Sequence, residues 1–176
     1  MFLISNHILV SHPEITLPED TVIRINCAWV NDMYELGCII KGCNYPVFLD
    51  FPTGRLKPPI PKLALKDVLN LANQYKNVKY FSYSNASNIN EAIDIKTKLT
   101  YDMVIVPKIE DIKGAMNLLN LADTLHTKMI MIDKEDLFTN CTDTELYLFT
   151  LKYIREICKQ HRITVLELYG VIFSHD

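Results

Sequence analysis

Apolar positions along the chain follow two spacings. Short runs with period-two alternation predict strands, and longer segments with apolar residues three or four positions apart predict helices. The predicted strands are 2–10, 21–26, 46–50, 78–83, 102–110, 128–136 and 163–168, with a weaker fragment at 170–173. From the second predicted strand onward, a predicted helix lies between each strand and the next. This alternation is the order that βαβ units and a parallel sheet require.

The predicted helices are 31–41, 63–74, 88–99, one after strand 102–110, and one opened by a capping box at 142–145. In the last of these helices, Leu146, Phe149, Tyr153 and Ile157 form the predicted buried stripe. We predict a single α/β domain, residues 1–176, with a (β/α) TIM-type parallel barrel of about seven to eight strands. Closed barrels of this type usually need about 250 residues, so this one is expected to be compact or incomplete.

Composition narrows the class of protein. The 176 residues are 49% hydrophobic and 22% charged, with a net charge of -3, which describes a globular protein and argues against nucleic-acid binding. Five cysteines lack CxxC pairs, so neither a zinc site nor a disulfide framework is indicated. No run approaches a membrane span and no leader pattern is present, so a cytoplasmic location without membrane association is expected.

Charged residues gather at the ends of two predicted strands. In strand 102–110, alternation places Lys108 and Glu110 on one face, and the next strand ends in Lys134 and Asp136. If the two strands are parallel neighbours, Glu110 and Asp136 open onto one pocket. Two carboxylates beside a lysine favour a divalent-cation site next to a group that stabilises negative charge. The alternative is that these residues are charged only because strand ends meet water.

Four short segments give the chain a resemblance to the pyruvate kinase barrel, within the superfamily of barrels that handle phosphoenolpyruvate and pyruvate. They resemble, in the family's own order, its Arg-Leu-Asn, Leu-Asp-x-x-Gly-Pro-x-x-Arg, Ala-Lys-Ile-Glu and Arg-Gly-Asp-Leu segments. In this chain the four are Ile23–Asn26, Phe48–Lys57, Val106–Glu110 and Lys134–Leu137. Residues 80–85 are similar to a further strand of the family.

The resemblance assigns roles to the charged strand ends. It implies that Lys108 stabilises the enolate of pyruvate, and that Glu110 and Asp136 bind the divalent metal, Mg²⁺ or Mn²⁺. It also implies that Arg24 contacts the phosphoryl group and takes part in catalysis. Lys57 replaces an arginine that the family has near the phosphoryl group. Together with Arg24, Lys57 and Lys134 would bind the substrate.

The same resemblance implies a monovalent-cation site at Asn26 and Asp50. Ala28 stands where the family has a serine ligand for that ion, which argues against a dependence on K⁺. The turn that matches Arg-Gly-Asp-Leu-Gly reads Lys134-Glu-Asp-Leu-Phe138 and lacks both glycines. Its backbone is therefore expected to approach a carboxylate less closely.

The family inserts a lid domain after the segment that matches Lys57, whereas here Pro58–Pro61 leads directly to the next helix. Without a lid a nucleotide would be poorly clamped, so we do not expect an ATP-producing kinase. The resemblance instead implies a metal-dependent lyase, aldolase or transferase that forms an enolate from a ketoacid or a phosphoenolpyruvate-like ligand.

Two other functions stay open. The barrel could be a catalytically inactive binding module, in which a second copy or a partner protein covers the open barrel edge. Schiff-base chemistry at Lys108 is the other, although Glu110 on the same face favours the charged form of the amine.

Overall fold

The fold is α/β and of the parallel barrel class, as predicted. The structure is a computed structural model that describes residues 1–55, 58–100 and 102–168. These residues contain seven strands, each parallel to the strands with which it pairs. They are β1 (Phe2–Ser5), β2 (Thr21–Asn26), β3 (Val47–Phe51), β4 (Val78–Tyr83), β5 (Val104–Ile109), β6 (Met129–Asp133) and β7 (Thr164–Leu168).

Helices follow the strands in alternation. The first four are α1 (His7–Ser11), α2 (Met33–Gly42), α3 (Leu65–Ala72) and α4 (Ile89–Lys98), with a short 3₁₀ helix at Cys27–Trp29. The last four are α5 (Ile112–Met116), α6 (Leu118–Leu125), α7 (Lys134–Asn140) and α8 (Thr144–His161). None of the helices among the described residues is both long enough and apolar enough to cross a membrane.

The chain forms two compact units. The first contains Met1–Ser84 and Ile93–Val106, and in it β1 to β4 pair in chain order. All five residues of β3 are buried. The register places Asn26 beside Asp50 and Asp50 beside Ser82, so the polar ends of three neighbouring strands lie side by side.

The second unit contains Asn85–Ala92 and the chain from Pro107 onward. Here β6 lies between β5 and β7, and Ile130, Met131 and Ile132 are fully buried. Lys108 pairs with Met131 in the β5–β6 register. Neighbouring residues of parallel strands share a face, so this register decides which side chains meet at the strand ends.

Three predicted helices and strands need correction. The predicted first strand ends at Ser5, and residues 7–11 form α1 instead. The helix predicted after β5 is divided at Asn117, whose ψ of 2° departs from helical geometry and whose side chain donates to the main-chain oxygen of Ser87. The predicted capping box at Thr142 is also displaced, because Asp143 caps α8 by accepting from the Leu146 N–H.

The buried face of α8 was predicted wrongly. Thr150, Leu151, Ile154 and Cys158 are its buried residues, whereas Phe149 is 67% exposed. Apolar residues occupy two adjacent stripes of this helix, and spacing alone does not distinguish them. The stripe that was predicted to be buried instead contributes Leu146, Phe149 and Tyr153 to an apolar groove of about 240 Å³, which Ile112 and Met116 of α5 also line.

Candidate metal centre

The carboxyl end of β5 buries two opposite charges. Lys108 is 4% exposed and Glu110 is 3% exposed, and the lysine Nζ lies 3.5 Å from Glu110 Oε1. Strand alternation puts both side chains on one face, as predicted. Burying a charge costs free energy unless the charge is paired or binds a metal. The buried Lys108–Glu110 pair therefore makes this strand end a candidate functional site.

Two further carboxylates come from the end of β6 and the start of α7. Extending the β5–β6 register by one residue sets Glu110 beside Asp133, the last residue of β6. Asp136 was predicted on a strand face, but the strand ends at Asp133 and Asp136 lies in the first turn of α7. The turn exists because Asp133 caps the helix, its Oδ1 accepting from the Asp136 N–H at 3.2 Å.

Glu110, Asp133 and Asp136 form a cluster that fits a divalent cation. One carboxylate oxygen from each lies within 4.8 Å of those from the other two. Glu110 Oε1 is buried and has no hydrogen-bond partner among the described residues. Carboxylate oxygens are the ligands that Mg²⁺ and Mn²⁺ prefer, so the donor set suits such an ion.

The pKa of the Glu110 carboxyl is raised above its ordinary value, chiefly because burial removes water from its charged form. The negative charges of Asp136 and Asp133 act in the same direction, while Lys108 and the Asn85 N–H oppose them. Like charges this close repel, and a bound cation would relieve that repulsion.

The turn after β4 supports the Glu110 side chain. Asn85 adopts a left-handed backbone with φ of 54°, and its N–H donates to Glu110 Oε2 at 2.7 Å. The next N–H, that of Ala86, donates to the main-chain oxygen of Lys108. Gly114 of α5 lies against the same turn, since a β-carbon there would be 2.8 Å from the Ala86 oxygen. Lys108 and Glu110, at the end of β5 and directly after it, are thus both held through the backbone of this turn.

The C-terminal end of α7 contacts the backbone of Glu110. Asn140 donates from its side-chain amide to the main-chain oxygen of Glu110 at 2.9 Å. Sequence reasoning missed Asp133, Asn85 and Asn140. Two features of the sequence could have identified Asp133. It shares a strand face with Met129 and Met131, and it stands three residues before Asp136, the spacing of a helix cap. Asn85 and Asn140 gave no comparable signal, because both act through contacts distant in sequence.

Lys134 lies in an ion-pair network. Its Nζ is 2.5 Å from Oε2 of Glu167, and Arg155 Nη2 is 2.7 Å from the other oxygen of that carboxylate. Burial opposes the charge of Glu167, but the hydrogen bonds from Lys134 and Arg155 outweigh it and lower the pKa of the carboxyl. A substrate anion at Lys134 would have to compete with this carboxylate.

Three of the remaining predicted site residues, Arg24, Asn26 and Asp50, belong to the first unit. Arg24 donates from Nε to Asp50 Oδ2 at 2.9 Å, and Asp50 is almost fully buried. Asn26 uses its side-chain oxygen to accept from the Ala28 N–H. The Arg24 guanidinium thus lies beside Asp50. Monovalent-cation binding by Asn26 and Asp50, for which a K⁺ dependence was already doubtful, stays a prediction. Lys57 lies outside the described residues.

Comparison with known proteins establishes the fold. No protein-family model matches the chain, and no curated protein matches its sequence. Among solved structures, the chain is similar to the crystal structure of citrate synthase SbnG, with a TM-score of 0.65 and 14% sequence identity. The likeness covers 96% of this chain and 77% of that one. It shows a shared fold with an enzyme, and the resemblance to pyruvate kinase is not confirmed.

Proposed function

We propose that the chain is a divalent-metal-dependent enzyme that forms an enolate from a pyruvate-like or phosphoenolpyruvate-like substrate, as a lyase, aldolase or transferase. The observation that carries the proposal is the buried Glu110 carboxylate, which clusters with Asp133 and Asp136 and whose Oε1 accepts no hydrogen bond within the described part of the chain. The three clustered carboxylates lie beside the buried ammonium group of Lys108, an arrangement that suits a divalent cation next to a group that stabilises negative charge. The fold that the chain shares with citrate synthase SbnG is compatible with a catalytic role.

The residues divide the chemistry between them. Glu110, Asp133 and Asp136 would hold Mg²⁺ or Mn²⁺, which when bound chelates the oxygens of a ketoacid and lowers the free energy of its enolate. Lys108 lies 3.5 Å from Glu110 and would add a positive charge beside the developing negative charge. Its buried position strengthens that interaction, because water screens it less.

Substrate binding by Arg24, Lys57 and Lys134 remains part of the proposal. Arg24 and Lys134 both have carboxylate partners, Asp50 and Glu167 respectively. Each partner fixes the orientation of the cation, and Arg24 keeps a partly exposed side chain. A substrate anion would have to share these cations with the carboxylates that hold them.

The test is calorimetric titration of Mn²⁺, followed by oxalate, whose adjacent carboxylates imitate an enolate of pyruvate. The wild type is compared with the double variant Glu110→Gln/Asp136→Asn, which keeps side-chain size and removes two charges. We expect the wild type to bind Mn²⁺ in the micromolar to low-millimolar range and to bind oxalate only when the metal is present. The double variant should bind the metal at least about tenfold more weakly.

Asp143→Asn is the matched control, because Asp143 caps α8 in the same unit and asparagine preserves a cap. It should bind Mn²⁺ like the wild type. Absence of Mn²⁺ binding by folded wild type, or equal binding by the double variant, would contradict the proposal.

A binding module is the second candidate, and the exposed apolar groove between α5 and α8 is the observation that favours it. In that case a second copy or another protein covers apolar surface and no metal is required. Light scattering over a concentration series tests self-association. Wild type that assembles but does not bind Mn²⁺ would favour this function over the enzyme.

A further inference from the structure

We propose that Asn140 is a positioning residue of the candidate metal centre, and that its bond to the main-chain oxygen of Glu110 keeps the Asp136 carboxylate of α7 opposite the Glu110 carboxylate. The inference rests on the proposed function, since it concerns how the same site is held. Asn140 itself is not a ligand, because its amide is used on the backbone of Glu110.

The geometry of α7 places Asp136 and Asn140 on one side of the helix. They are four residues apart, and side chains at that spacing lie one above the other on a helix face. Asp136 belongs to the cluster with Glu110, and Asn140 reaches the main-chain oxygen of the same glutamate at 2.9 Å. One face of α7 therefore approaches Glu110 at two points. The Asp136 carboxylate lies near the Glu110 carboxylate, and the Asn140 amide binds the main-chain oxygen of Glu110.

Of these two contacts, the one between carboxylates is repulsive and the one made by the amide is attractive. The negative charges of Asp133, at the end of β6, and of Asp136, in α7, repel the Glu110 carboxylate. The repulsion by Asp136 favours a larger separation between α7 and the end of β5. The Asn140 bond is attractive and resists that separation. Leu137, which is fully buried, anchors the helix from another of its faces. Without the amide, the separation of the carboxylates would be free to increase before a cation arrives.

The side chain of Asn140 is not needed to cap the C-terminus of α7. The N–H of Cys141 donates to the main-chain oxygens of Leu137 and Phe138 and so caps α7. The side chain of Asn140 instead bonds to a residue 30 positions earlier. Its bond thus links two separate elements of the site, as the outer partners of metal ligands do.

The experiment measures Mn²⁺ affinity from the electron paramagnetic resonance signal of free Mn²⁺, with thermal unfolding recorded by circular dichroism. Asn140→Leu removes the amide at similar volume, Asn140→Gln keeps a donor, and Asn140→Ser is used if the leucine variant does not fold. Asn77→Leu is the control, because the Asn77 amide donates to the main-chain oxygens of Ile40 and Cys43 in the other unit.

We expect Asn140→Leu, or Asn140→Ser in its place, to raise the Mn²⁺ dissociation constant at least about tenfold. Asn140→Gln should recover part of that loss, and Asn77→Leu should lower the melting temperature without changing Mn²⁺ affinity. Wild-type affinity in the variant that lacks the amide would overturn the inference while leaving the metal site intact. An equal loss of affinity in Asn77→Leu would also overturn it. Failure of the wild type to bind Mn²⁺ would overturn both the inference and the proposed function.

Discussion

The main-chain N–H of Asn85 donates a 2.7 Å hydrogen bond to Oε2 of Glu110 from a left-handed backbone with φ of 54°. This backbone region is accessible to glycine and tolerated by asparagine, but it is costly for residues branched at the β-carbon. The orientation of the N–H at position 85, and with it the hydrogen bond to Glu110, therefore depends on which residue type occupies that position.

Asn85→Gly and Asn85→Val separate the effect of backbone conformation from that of the side chain. Both variants retain the N–H that contacts Glu110. Because valine disfavours positive φ, we expect Asn85→Val to have a free energy of unfolding lower than that of Asn85→Gly by about 1 to 2 kcal/mol. Urea denaturation measures the difference, and Mn²⁺ titration should show weaker binding by the valine variant.

Arg162 offers a control for this pair, since it is left-handed with φ of 54° at the end of α8. Arg162→Val should lose stability relative to Arg162→Gly, while both bind Mn²⁺ equally. If Asn85→Val is as stable as Asn85→Gly, the left-handed conformation is not a constraint at position 85.

Asp133 caps α7 and also belongs to the acidic cluster, and two substitutions separate these roles. Asp133→Ser keeps a capping oxygen and removes the charge, whereas Asp133→Ala removes both. We expect the alanine variant to lose about 1 kcal/mol of unfolding free energy relative to the serine variant. Both should bind Mn²⁺ at least about tenfold more weakly than the wild type. Thermal unfolding and metal titration measure the two effects independently.

The same two substitutions at Asp143, the cap of α8, serve as the comparison. They should reproduce the difference in stability and leave Mn²⁺ binding unchanged. Wild-type affinity in Asp133→Ser would show that Asp133 acts only as a helix cap.

The raised pKa of the Glu110 carboxyl predicts a pH dependence of stability in the absence of metal. The folded state holds this proton more tightly than the unfolded state, in which the pKa is near its ordinary value of 4.5. The stabilising contribution is therefore complete below that value and is lost as pH rises through the raised pKa. Relative to Glu110→Gln, the wild type should lose at most about 1.4 kcal/mol per pH unit in this window.

Chemical denaturation in EDTA, from about pH 4 to pH 8, measures the wild-type minus Glu110→Gln difference, in which contributions from other groups largely cancel. Saturating Mn²⁺ should reverse the trend, because the metal binds the deprotonated carboxylate. A difference that stays constant or increases with pH in EDTA would refute the prediction.

Much of the fold was predictable because the strands are buried and strongly patterned. The bounds predicted for β2 and β4 agree with the structure at both ends. The division of α5 from α6 was not predictable, because the Asn117 bond to Ser87 joins residues 30 positions apart. Local spacing contains no information about such a contact.

The site was predicted in part. Alternation alone placed Lys108 and Glu110 together, because it needs only the strand to which both belong. Bringing Asp136 to Glu110 requires that β6 end at Asp133 and that α7 begin at Lys134, whereas the predicted strand 128–136 includes both segments. Whether these carboxylates bind metal stays a prediction, as do the single domain, the cytoplasmic location and the oligomeric or partner-bound state.

The groove between α5 and α8 has a practical consequence for these measurements. Met116 and Phe149 expose most of their side chains there, beside Tyr153. Environment-sensitive dyes fluoresce when they bind such apolar surface, so the native protein should already give a high signal before any heating. Dye-based melting curves would then have a sloping baseline. Calorimetry or circular dichroism is therefore the appropriate readout for comparing variants.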